Sequence, residues 1–208
     1  MKNKSMSYNP ISRNGFTLVE AVITISIGTL LVMGIITFMI ETSRLQSFIS
    51  EQSDAIETAD EATTVMTKAL RETTDGADGS YAVVTAEANT LTFFSDIDAD
   101  ANAEQVTYTL SGATITQTII EPTATPAQYL SANGTTKTVA TGIVNGTYTG
   151  NAIFSYYDLN NAILAEPITL SEVKLVKIHL DVNVDPNRVP DTHTIETYVQ
   201  LRNLNDNL

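Results

Sequence analysis

The chain has no cysteine, no proline between Pro10 and Pro122, and 11 Lys and Arg against 24 Asp and Glu. Without cysteine there is neither a disulfide framework nor a thiolate metal site, so an exported domain here must fold without covalent staples. The acidic balance, −13 at neutral pH over 208 residues, repels phosphate backbones, and no direct nucleic acid binding is expected of the surface as a whole. Missing as well are a G-x-S-x-G elbow, a Walker loop, a dinucleotide fingerprint and an H-E-x-x-H pair. With no catalytic constellation, the chain is expected to act by binding or assembly and not as an enzyme.

The few basic residues are unevenly placed. Lys2, Lys4 and Arg13 give the first fifteen residues a charge of +3 with no acid among them, which leaves −16 for the remainder. Directly after them, Phe16 to Ile40 contains no Lys, Arg, Asp, Asn or Pro, and Glu20 is its one ionisable side chain. Twenty-five residues at helical rise span about 37 Å, more than a hydrocarbon core of about 30 Å. In lipid the backbone must satisfy its own hydrogen bonds, so this stretch is expected to cross a membrane as one helix. The basic flank places the N-terminus in the cytoplasm and the acidic body outside it.

A cleavable secretory signal has the same general outline, but its apolar region is shorter, and no small-x-small site follows Ile40, where the chain reads ETSRLQSFISEQ. A plain anchor accounts for everything except Glu20. A carboxylate in the lipid-facing part of an isolated helix costs about 2.5 kcal/mol or more, so an intramembrane acid usually has a partner and a function. Snorkelling of Glu20 to the interface is the competing explanation.

The string G-F-T-L-V-E, with Gly15, Phe16 and Glu20 after a short basic leader, resembles the prepilin processing site of the type IV pilin and pseudopilin superfamily. That resemblance implies that a prepilin peptidase cuts between Gly15 and Phe16 and N-methylates the new Phe16 amine. A mature chain of 208 − 15 = 193 residues follows. It further implies that Glu20 pairs with the N-terminal ammonium of a neighbouring subunit, so that two charges costly in lipid neutralise one another on assembly. The implied partners are the peptidase, other pilin or pseudopilin subunits and an inner-membrane assembly platform. The implied location is the cytoplasmic (inner) membrane, single-pass, followed by a periplasmic or extracellular filament. Many type IV pilins carry a proline inside this helix; its absence here implies an unbroken helix and leans toward a minor or pseudopilin-like subunit.

Past Ile40 the sequence turns polar, with apolar residues at Leu45, Phe48, Ile49, Ala55, Ile56, Ala59, Ala62, Met66, Ala69 and Leu70. These three- and four-residue steps mark one face of an amphipathic helix. No Pro or Gly interrupts Phe38 to Thr74, and D-G-A-D-G at 75–79 supplies a stop. Gln52 interrupts the apolar seam, which argues against a coiled coil. Short β-rich runs follow: YAVVTA, TLTFFS, EQVTYTL, ATITQTII, TKTVAT, IFSYYD, AILAEPITL, VKLVKIHLDVNV and HTIETYVQLRN. They predict an antiparallel sheet. The expected fold is α+β and pilin-like: leader 1–15, membrane helix 16–40, the amphipathic half of the same helix 41–74, and a β-rich head 75–208. The runs EVKLVKIHLDV and TYVQLRN resemble the last hairpin of minor pseudopilin J and of PilW-type minor pilins.

Two clusters in the head carry chemistry. S-D-I-D-A-D-A-N-A-E sets Asp96, Asp98, Asp100, Asn102 and Glu104 at alternate positions between two strands. D-x-D-x-D is how calcium loops often begin, although an EF-hand requires Gly where Ala101 stands and Glu where Thr107 stands. A solvated acidic hairpin and a calcium site both fit this pattern; no cofactor is required. His179 and His193 lack Cys companions, and are expected to face each other across the last hairpin as structural histidines. A membrane-anchored extracytoplasmic binding or adhesion domain, calcium-dependent and never polymerising, is the alternative to the filament subunit.

Overall fold

The structure is a computed structural model and describes residues 15–98, 100–188 and 191–201. The expected leader lies outside the described residues except for Gly15. The chain divides into two compact units with the break between Ser47 and Phe48, and a 54-residue helix, α1 (Leu18–Arg71), runs through that point.

The start of α1 is set by a reciprocal cap. The Glu20 N–H donates to Thr17 Oγ1 at 3.2 Å, and Thr17 N–H donates to Glu20 Oε2 at 3.4 Å, the two-way arrangement of a capping box. The absence of Gly and Pro over 38–74 keeps the helix continuous. It ends at Arg71, three residues before the expected limit, because Thr74 N–H turns away to Phe94 O at 3.0 Å and Thr73 bridges Ser95. Lys68 and Arg71 occupy the last turn, where positive charge complements the unpaired carbonyls.

In the first unit the apolar side chains of α1 are exposed, and the most apolar window, with a mean hydropathy of 2.3, has no buried residue. The helix is long and apolar enough to cross a membrane. Its hydroxyls need no outside partner: Ser26, Thr29 and Thr37 each donate to the carbonyl four residues back at 2.8–3.0 Å, and Thr24 reaches Glu20 O at 2.9 Å. Such back-bonding removes the cost of placing a hydroxyl in an apolar medium.

In the second unit α1 packs on two antiparallel sheets. The first holds β1 (Val83–Ala86), β2 (Thr90–Ser95), β3 (Glu104–Ser111), β4 (Thr114–Ile120) and β5 (Thr135–Thr141) in chain order. The second holds β6 (Phe154–Tyr157), β7 (Leu175–Val182) and β8 (His193–Gln200). From α1, Ala55, Ala59, Ala62, Met66 and Leu70 join Phe93, Tyr108 and Ile115 of the first sheet and Phe154, Ile178 and Val199 of the second in one buried cluster. Full burial of a side chain such as Met66 or Phe154 is worth about 1.5–3 kcal/mol. The predicted face of α1 holds at Phe48 and from Ala55 on, whereas Leu45 and Ile49 are exposed and Gln52 and Thr63 are buried in addition.

The single expected sheet is two because the chain after β5 covers β7 without becoming a strand. Gly142 turns it in the left-handed region at φ 72°. Asn183 N–H then donates to Gly142 O, and Val144 N–H donates to Asp181 O, both at 2.8 Å. The Asn145 side chain supplies two more bonds of strand type, donating to His179 O at 2.9 Å and accepting from Asp181 N–H at 2.7 Å. The run AILAEPITL is not a strand. Its Ile163 makes one isolated bridge to Tyr157, and Pro167 can donate no ladder bond, which breaks the run from within. The two histidines do not face each other either: β7–β8 pairing sets His179 opposite Glu196 and His193 opposite Val182.

Candidate functional site

At the N-terminal end of the described chain, Gly15 and Phe16 precede the helix. Both are exposed, Phe16 at 75%, and a Cβ on Gly15 would meet nothing within 4 Å. A peptide bond in this state is open to a protease cleft. Glu20 stands one helical turn further on, also exposed, and its carboxylate contacts are with Thr17 at 3.4–3.5 Å, long for hydrogen bonds to a charged acceptor. The cap therefore uses one carboxylate oxygen weakly, and among the described residues no Lys, Arg or His is paired with Glu20. Thr17 was not singled out by charge or hydropathy, yet T-x-x-E ahead of an apolar run is its sequence signature.

The second candidate lies in the turn between β2 and β3. Pairing of Ser95 with Glu104 closes that hairpin and gathers the acids at one end of the sheet. One carboxylate oxygen from each of Asp96, Asp98, Asp100 and Glu104 lies within 4.8 Å of the others. Asp96 and Asp98 accept from Asp100 N–H at 3.2 Å, and Asp96 also accepts from Ala101 N–H at 3.1 Å. Ala101 takes the left-handed conformation, φ 74°, where an EF-hand would have glycine. Asn102 is tied to Asp100 through its backbone N–H at 2.8 Å and its side-chain amide at 3.1 Å. At the base of the turn the Tyr129 hydroxyl donates to Ala103 O at 2.6 Å and accepts from Ala77 N–H at 2.9 Å.

Glu104 differs from its neighbours in being fully buried. Its Oε2 accepts from Ile97 N–H at 2.8 Å, while Oε1 is buried with no hydrogen-bond partner. Desolvation, with smaller contributions from the charges of Glu121 and Asp98, pushes this carboxyl up to about 7. Glu121 is displaced upward too, first by desolvation and then by Asp98 and Asp100, against a side-chain hydrogen bond with Glu104 that lowers it, so the two acids stand together at this end of the sheet. It was missed in the sequence because its nearness to Glu104 depends on the β3–β4 register, which pairs Gln105 with Ile120.

His179 belongs to a structural network. Its Nδ1 lies 2.6 Å from Glu196 Oε1 and its Nε2 3.2 Å from Asp181 Oδ1, and Lys177 Nζ approaches Glu196 at 2.6 Å. Asp181 is buried, and burial alone would raise it, but donors from Thr149, Asn151, Thr194 and His179 outweigh that and hold it down at about 2. These contacts pin β7 to β8 and to the turn that holds Thr149 and Asn151.

Neither the models of known protein families nor the curated proteins contain a match to this chain. Its functional reading rests on the chemistry of its own residues.

Proposed function

We propose that the chain is a prepilin-like minor subunit of a type IV filament system, either a secretion pseudopilus or a type IV pilus. It is cut after Gly15, N-methylated at Phe16 and assembled through α1, and the head is carried outside the cytoplasm with a pilin-like fold. The observation that carries this reading is the position of Glu20. It is the one ionisable side chain in an exposed apolar stretch of 25 residues, five positions after an open Gly15–Phe16 bond. An unbroken α1 laid on antiparallel sheets and an apolar, self-satisfied helix surface support it.

In this account a monomer holds Glu20 at a cost in the membrane, and the ammonium of a neighbouring Phe16 removes that cost on assembly. The capping box favours one rival, in which Glu20 serves only its own helix within a membrane-anchored binding domain that never polymerises. Two substitutions separate them. Glu20→Gln keeps a capping side chain and removes the charge, whereas Glu20→Val removes both. Cross-linking between neighbouring subunits should be lost in both variants if the ion pair sets assembly. Wild-type cross-linking in Glu20→Gln would leave Glu20 with a capping role and sink the ion-pair account.

A further inference from the structure

A cavity of about 260 Å³ opens between the last turns of α1 and the strands β4 and β5. Its buried polar member is Gln117, 2% exposed, whose Oε1 is enclosed without a hydrogen-bond partner. The other end of that amide donates to the Tyr108 hydroxyl at 2.7 Å, and one hydroxyl can serve only one end. A buried carbonyl oxygen left in this state is costly unless a water or a ligand donates to it. Strand pairing sets Gln117 opposite Tyr108 of β3 and opposite Lys137 of β5. The three therefore share the face of the sheet that packs against α1. From α1, Lys68 and Glu72 line the same cavity, four residues apart and so on one side of the helix. Among the described residues neither lysine is in an ion pair, nor is Glu72. Two unpaired cations at one cavity stand out in a chain with 11 Lys and Arg against 24 Asp and Glu.

We infer that this cavity binds a free amino acid with an apolar side chain. Lys68 and Lys137 receive its carboxylate, Glu72 and the Gln117 carbonyl receive its ammonium, and Val65, Ile97 and Ile119 supply the apolar wall. The mixture of groups selects the ligand. Both lysines repel a simple cation, Glu72 repels a second carboxylate, and the unpaired Gln117 oxygen requires an N–H or O–H donor. Hydrogen bonds in which either partner is ionised are the strong ones, and a zwitterion makes them at both ends. The volume lies below the range of about 300–1,000 Å³ that holds drug-sized ligands, which suits a molecule of amino-acid size. Every lining residue belongs to the second unit, so this site and the maturation of the N-terminus can each fail without the other.

The test uses the full chain, isotopically labelled and solubilised in detergent, titrated with L-leucine and followed through its backbone amide resonances and by thermal melting. Saturable shifts centred on α1 residues 65–72, on Gln117 to Ile119 and on Lys137 should give a Kd at or below about 1 mM, and the melting temperature should rise. L-Leucinamide lacks the carboxylate and N-acetyl-L-leucine lacks the ammonium; each should bind about tenfold more weakly. Gln117→Leu, which removes the buried acceptor, should weaken L-leucine binding about tenfold as well. Lys137→Gln, exposed on β5, should do the same without lowering the melting temperature of the ligand-free protein, and it decides the matter if Gln117→Leu fails to fold. No saturable shift of the wild type at about 10 mM L-leucine would leave the cavity to water and overturn the proposal. So would equal binding of L-leucinamide, or wild-type affinity in Lys137→Gln. Tighter binding of N-acetyl-L-leucine than of L-leucine would overturn it in favour of the C-terminal residue of a polypeptide.

Discussion

Gln52 of α1 accepts a hydrogen bond at 2.9 Å from the backbone N–H of Val184, two residues beyond β7, and its amide donates at 3.2 Å to Val182 O. A side chain thus takes the place of a neighbouring strand at the end of β7. In the sequence the same residue reads as a flaw in an apolar seam. Gln52→Leu fills the volume but leaves a buried N–H and C=O unpaired, and a loss of about 2 kcal/mol in stability is expected. Urea unfolding of the detergent-solubilised chain, followed by near-ultraviolet circular dichroism of the head, measures it; an unchanged midpoint would mean that water replaces the amide without cost.

Gly142 is tied to the same corner. Its φ of 72° is left-handed, and a Cβ would meet Ala55 Cβ and Val184 Cγ1 at 3.3 Å. Gly142→Ala should cost about 1–2 kcal/mol from backbone conformation alone, with crowding added. At Gly112, also left-handed at φ 61° but with open space around it, the same substitution should show the conformational part without the crowding. Comparing the two unfolding midpoints separates these contributions.

Acid stability follows from Asp181. Its carboxyl is held at about 2 in the folded chain, below the ordinary value of 3.8 for an unfolded aspartate. A depressed folded value means that the stabilisation is fully present above the unfolded value and is lost as pH falls through the folded one. The expected contribution is about 2 kcal/mol at neutral pH, lost progressively between about pH 4 and pH 2. Asp181→Asn should lack this acid-dependent part, and equal slopes of stability against pH for the two proteins in that window would contradict the assignment.

Processing can be blocked without touching the head. Gly15 precedes the helix and packs against nothing, so Gly15→Val should leave thermal stability unchanged while the leader stays attached. Intact mass reports the second effect and melting the first; normal processing of this variant would remove the need for a residue without Cβ at the cleft.

The long helix was legible because it depends on local facts, the missing Gly and Pro over 38–74 and the spacing of Ala55, Ala59, Ala62 and Met66. Strand positions were legible for the same reason, from Thr90–Ser95 to His193–Gln200. Partnership was not. The division into two sheets depends on Gly142 to Asn145 covering β7, the opposition of His179 to Glu196 depends on strand register, and Pro167 overrode an otherwise β-rich run. In the acidic turn the alternation of Asp96, Asp98 and Asp100 was readable, but the burial of Glu104 and its meeting with Glu121 were not, since they depend on the register of β3 with β4.

The central claim is that G-F-T-L-V-E is a maturation and assembly signal, and the N-terminus of the protein extracted from its native membrane tests it most directly. Intact mass and N-terminal sequencing should give a chain that begins at a methylated Phe16. A chain that retains residues 1–15, or one cut beyond Ile40 as an export signal would be, contradicts it.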